Sequence, residues 1–116
     1  MADQHALING SSGAIKVAPD PVHGSKKNKD QVVWLGTTPF EVIFDLISPF
    51  SADHFVSSPC RPSWARVTKK GAAARGAYAH CAQSGPIESG AALGGYKYTV
   101  KMAGLPDLDP GVHVDR

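Results

Sequence analysis

The stretch "GYKYTVKM" alternates without a break: Tyr96, Tyr98, Val100 and Met102 fall on one side, Lys97, Thr99 and Lys101 on the other. Successive side chains of a strand point to opposite faces, so this period predicts a strand with one face in the core and one in water. "FEVIF" repeats the pattern, setting Phe40, Val42 and Phe44 against Glu41, Ile43 and Asp45. "AIKVA" sets Ile15 and Val17 against Lys16, and "PDP" closes it because proline cannot donate to a ladder. Val22 and His23 predict a short strand before the solvated turn "GSKKNKD", and "VHV" puts Val112 and Val114 on one side of a last strand. "QVVWL" is apolar on both sides, the pattern of a central strand covered on two faces, which makes Trp34 a core residue.

Between positions 46 and 93 the pattern is weaker. "WARVTK" and "AYAHC" read as strands, while Ala72 to Arg75 fits a helical turn equally well, since alanine favours helix and flanking glycines would end it. Residues 1–13 are polar or small without sustained period and are expected to form a flexible N-terminal arm, ahead of a single domain over residues 14–116. About seven strands, no long helix and no internal repeat point to an all-β fold. Composition agrees: 12 Gly and 9 Pro suit short strands joined by turns, and 116 residues are enough to bury one core. No run of eighteen apolar residues occurs, and "MADQHALING" lacks the basic start and apolar stretch of a secretory signal. The expectation is a cytoplasmic protein with no membrane partner, or a secreted one if a leader has been removed. A formal charge of +2 is too small to imply a nucleic-acid partner by itself.

The order of the pieces has a counterpart. A strand like "AIKVAPDPV", a lysine-bearing turn, "VVW", "PFEVIFD", a variable middle, and "GGYKYTVKM" running into "DPGVHVD" resemble the cupredoxins, the β-sandwich family of blue copper proteins. The resemblance covers residues 14–45 and 94–115 and implies a Greek-key β-sandwich. In that family a type 1 copper is held by a histidine at the start of the strand matching "PFEVIF", and by a cysteine, a second histidine and usually a methionine on the last hairpin. The match puts these ligands at Phe40, Val100, Ala103 and Leu108, all apolar. None offers a donor lone pair, so the resemblance implies a hydrophobic plug in place of copper, and no cofactor. Met102 shares a side with Val100 and reads as a core methionine.

The remaining chemistry lies in the middle segment. His54, Cys60, His80 and Cys81 are the donor types of a tetrahedral zinc or copper site, an alternative reading. Against it, the spacing has no close pair such as CxxC, and adjacent His80 and Cys81 on a strand point to opposite faces. A Cys60–Cys81 disulfide needs Cα atoms within about 7 Å, which spacing alone leaves open. Segment 61–75 carries Arg61, Arg66, Lys69, Lys70 and Arg75 around Trp64, with Tyr78 following, and no acid stands between Asp53 and Glu88. Cations with stacking rings are how single-stranded nucleic acid or another polyanion is held, a further alternative to an ordinary wet strand face. No GxSxG elbow, phosphate-binding glycine loop or HExxH occurs, so an enzyme is not expected. The expected function is a non-catalytic protein-binding or assembly module. Its partner would be an unknown protein or a second copy, docking on the plugged end where Phe40, Ala103, Leu105 and Leu108 gather, unless those side chains turn inward.

Overall fold

A computed structural model describes residues 2–10, 13–60 and 78–116. Its strands are β1 (Asp3–Asn9), β2 (Lys16–Ala18), β3 (Val22–Ser25), β4 (Gln31–Gly36), β5 (Glu41–Ile43), β6 (His54–Val56), β7 (Ser58–Pro59), β8 (His80–Gln83), β9 (Gly94–Lys97), β10 (Thr99–Lys101) and β11 (Gly111–Asp115). They form a five-stranded sheet in the order β2-β1-β4-β8-β7 and two three-stranded sheets, β10-β5-β6 and β3-β11-β9. The fold is all-β, with eleven strands among the described residues where the periodicity predicts about seven.

Strand β4 is central, as its two-sided apolar pattern requires. Val32 and Trp34 enter the main core with Ala6, Ile8, Val42, Tyr98, Val100, Val112 and Val114. Val33 and Leu35 face the other way, into a second cluster with Cys81 against which Leu7, Cys60 and Tyr78 pack. The Trp34 ring lies 5.4 to 6.5 Å from those of Phe44, Phe50, Phe55 and Tyr98, spacings at which tilted and edge-on aromatic pairs attract.

Two expectations need correction. Residues 3–9 are not a loose arm. They run parallel to β4, with His5 opposite Val33 and Leu7 opposite Leu35, and antiparallel to β2, with Ile8 opposite Val17. Ladder bonds on both sides and burial of Ala6 and Ile8 order a segment whose own pattern is too weak to predict a strand. "GYKYTVKM" divides at Tyr98: β9 pairs with β11 and β10 with β5, so one alternating run serves two sheets. Its inward side is as predicted, but Thr99 is buried as well, its hydroxyl 2.8 Å from Asp45 Oδ2 and 2.9 Å from Asp109 Oδ1. "WARVTK" and the alternative helical turn at 72–75 lie outside the described residues, and "AYAHC" contributes the start of β8.

Cys60 and Cys81 are joined, with Cα atoms 4.9 Å apart. The bridge ties the end of the β7 segment to β8 beneath the second cluster. Where β4 begins, the Asp30 carboxylate accepts from Ser25 N at 2.8 Å, Ala2 N at 3.0 Å and Gln4 Nε2 at 3.1 Å, linking β1 to the β3–β4 turn. Burial raises the Asp30 pKa, but the hydrogen bonds from Ser25, Ala2 and Gln4 outweigh it and hold the carboxyl below its ordinary range.

Two stability predictions follow from these ties. Because the folded Asp30 pKa lies below the unfolded one, its contribution is complete above about pH 4 and is lost as pH falls through the folded value. Asp30→Ala is expected to lose about 1–3 kcal/mol at neutral pH in urea unfolding, and to decline less steeply than wild type on acidification. Opening the disulfide by Cys60→Ala with Cys81→Ala frees a loop closed over a separation of 21 residues and should cost about 2–4 kcal/mol.

Candidate functional site

The positions matched to a copper site gather at one end of the fold. Phe40 lies between β4 and β5 and is 3% exposed. It sits so close to Gly36 that a Cβ there would stand 2.6 Å from Phe40 Cδ2, which makes glycine necessary at the end of β4. Val100 faces Val42 across the β5–β10 ladder and forms a bridge with Leu108, donating to its carbonyl at 2.8 Å. Phe40 and Ala103 line one hollow with Pro39, Glu41, Val56, Ser57, Lys101 and Met102. Leu105 and Leu108 are half-buried against the core, and Leu105 with Met102 closes over Gly10. Of the four residues expected to make a docking surface, only Ala103 is exposed. The others turn inward because the space at this end must be filled by carbon, and burying it removes about 25 cal/mol per Å² of apolar contact with water.

His54, Cys60, His80 and Cys81 do not assemble as four donors. Both sulfurs are consumed in the disulfide. His54 points Nε2 at Glu41 Oε2, 2.7 Å away across β5 and β6. His80 is paired with Pro59 in the β7–β8 ladder, while Cys81 next to it is buried on the opposite face. The basic segment 61–75, with Arg61, Trp64, Arg66, Lys69, Lys70 and Arg75, lies outside the described residues. Tyr78 is half-buried against the second cluster.

A different surface has the features of a contact site. After β5 the chain leaves the sheet at Asp45 and is pinned on both sides of the excursion. Phe44 is buried and donates its N–H to the Asp53 carbonyl at 2.7 Å; Phe50 is buried and donates to Ser48 Oγ at 3.1 Å. With both ends fixed, Leu46 and Ile47 are presented to solvent, 98% and 65% exposed. They border a groove of about 520 Å³ lined by Asp45, Gly95, Tyr96, Lys97, Tyr98 and Asp109. One wall is β9, the outermost strand of its sheet, and among the described residues no strand pairs with its free side. Gly94 and Gly95 have open space where a side chain would stand, so no side chain stands over β9 there, and Gly94 adopts a φ of +122° that favours glycine. Leu93, half exposed, precedes this edge. Lys97, Asp45 and Asp109 put both signs of charge on the rim.

Sequence reasoning passed over this groove. A signal was present: Leu46 and Ile47 are adjacent, so in an extended chain they point to opposite sides and a single core face cannot bury both. No protein-family model matches the chain, and no curated protein does.

The absence of a thiolate near Phe40 and Val100 leads to a spectroscopic prediction. Cu(II) added to the disulfide-intact protein should give no intense thiolate-to-copper absorption, and Phe40→His alone should not create it. A strong blue band would show that the ligand positions are misassigned.

Proposed function

We propose that this chain is a copper-free, cupredoxin-like Greek-key β-sandwich that acts as a non-catalytic assembly module, with a second copy of itself as the partner. Support for the fold reading comes from two parallel pairings in otherwise antiparallel sheets, β1 with β4 and β3 with β11. The second joins positions about ninety residues apart, so the end of the chain returns to lie beside an early strand. Apolar Phe40, Val100, Ala103 and Leu108 at the family's ligand positions favour a module without type 1 copper. The Cys60–Cys81 bridge is easier to reconcile with an oxidising compartment than with a reducing cytoplasm.

One observation carries the assembly reading: exposed Leu46 and Ile47 stand beside the unpaired edge of β9. An open strand edge with apolar neighbours is a template for another strand, and natural proteins blunt such edges unless they use them. A second copy is the favoured occupant because a two-fold axis beside β9 would lay the same edge against itself, antiparallel. That arrangement is self-complementary, and the mixed charges of Lys97, Asp45 and Asp109 let opposite signs meet on both sides of the axis. Ladder bonds would then supply direction, and Leu46 and Ile47 the apolar area.

Sedimentation equilibrium of the full chain tests this. The wild type should show a concentration-dependent dimer. Ile47→Asp should weaken it at least about tenfold, a loss in line with removing one apolar anchor and burying a charge. Its melting temperature should stay within a few degrees of wild type, since Ile47 is mostly exposed. A wild type that remains monomeric at millimolar concentration would overturn the proposal.

A further inference from the structure

On the outer face of the β3-β11-β9 sheet three donor side chains converge. Strands β3 and β11 run parallel in a register that sets His23 directly opposite His113. Their rings are 5.0 Å apart between centroids and tilted by 38°. Asp115 follows His113 by two positions and therefore shares its face. Its Oδ1 lies 2.8 Å from His113 Nδ1 and its Oδ2 3.0 Å from His23 Nδ1. One ligand atom from each of the three residues falls within 4.8 Å of the others. The facing of these strands is not free to change, because Val112 and Val114 on either side of His113 are sealed in the core. Asp115 is held in place as well: its carbonyl accepts from Lys26 N at 2.8 Å, and the next carbonyl, of Arg116, accepts from Ser25 Oγ at 2.6 Å.

We infer that His23, His113 and Asp115 form a surface site for a divalent transition-metal ion, with zinc the representative cargo. Two imidazoles and one carboxylate suit zinc, copper(II) or nickel, whereas calcium and magnesium call for a shell of oxygens that this group does not offer. In a tetrahedral site with bonds near 2.1 Å the donors stand about 3.4 Å apart, between the 2.8 and 3.0 Å of the histidine–carboxylate contacts and the 4.8 Å that bounds the group, so only modest side-chain rotations are needed. Side chains that are 43% to 57% exposed have room to rotate that far. The register of β3 and β11 brings the donors together before the ion arrives, which lowers the ordering cost of binding. With an ion bound, each imidazole ligates through Nδ1 and carries its proton on Nε2, so neutral histidines release no net proton. Three protein donors leave one position of a tetrahedron for water, the arrangement of an open site.

Three donors lying within reach of one another also fit a plain pair of histidine–carboxylate hydrogen bonds, and titration calorimetry with zinc chloride on the intact chain separates the two. One ion should bind per chain, saturably. His23→Ala and His113→Ala should each weaken binding by about tenfold or more, while His54→Ala and His80→Ala should leave it unchanged. Zinc should raise the melting temperature of wild type and not of His23→Ala, since the ion would bridge β3 to β11. Circular dichroism of each variant verifies the fold, and histidine ring nitrogen shifts should change on His23 and His113 alone. No saturable binding at millimolar zinc, or binding that survives both cluster variants, would overturn the inference.

Discussion

Val32, Val33, Trp34 and Leu35 are all sealed from water, and a strand buried on both faces must be supplied with everything by other parts of the chain. Each of these side chains gains about 1.5–3 kcal/mol on leaving water, provided its backbone remains bonded. That condition recruits β1 to one edge of β4 and β8 to the other. It also calls for two covers, the aromatic cluster around Trp34 and the smaller cluster over Val33 and Leu35 that the Cys60–Cys81 bridge adjoins. Polar atoms close the start of the strand. Ser84 Oγ accepts the Val32 N–H at 2.8 Å and donates to Gly85 O at 2.7 Å, while Asp30 binds the neighbouring turn and the start of β1.

The aromatic cover accounts for the surface as well. Phe44 and Phe50 belong to it, and anchoring them leaves the short connection between them no way to tuck Leu46 and Ile47 inside. Exposure of two large apolar residues is thus a consequence of how the core is closed, and the adjoining β9 edge makes it usable. On the other side of β5, Phe40 fills the space beside Gly36, and its inward turn is a matter of packing. The β3-β11-β9 sheet carries both proposed sites on separate parts of its surface, the edge of β9 and the outer face of β3 and β11.

Much of this was legible in the residues. "QVVWL" gave away a strand with no wet face, and the alternation of Tyr96, Tyr98, Val100 and Met102 identified a core side that the fold keeps even where the run divides between sheets. Val112 and Val114, Phe40, Val42 and Phe44 were legible for the same reason. By contrast, β1 was not, because "DQHALIN" has only Ala6 and Ile8 to offer the main core and owes its order to partners on both sides. The choice at Phe40, Leu105 and Leu108 between a docking surface and inward-turned side chains was not legible, because apolar character does not say which way a side chain turns; Phe40 is buried and the two leucines are half-buried.

The sequence by itself determined that this is an all-β chain, which residues alternate into its core, and that Phe40, Val100, Ala103 and Leu108 carry no metal-donor atoms. Those properties are local, since a two-residue period and the chemistry of a side chain are present before anything folds. Only the tertiary structure decided which strands pair, that Cys60 and Cys81 meet, that Leu46 and Ile47 flank an open edge, and that His23 stands beside His113. Each of these depends on register between distant segments, and register is chosen by the burial of the whole sheet rather than by any one strand in it.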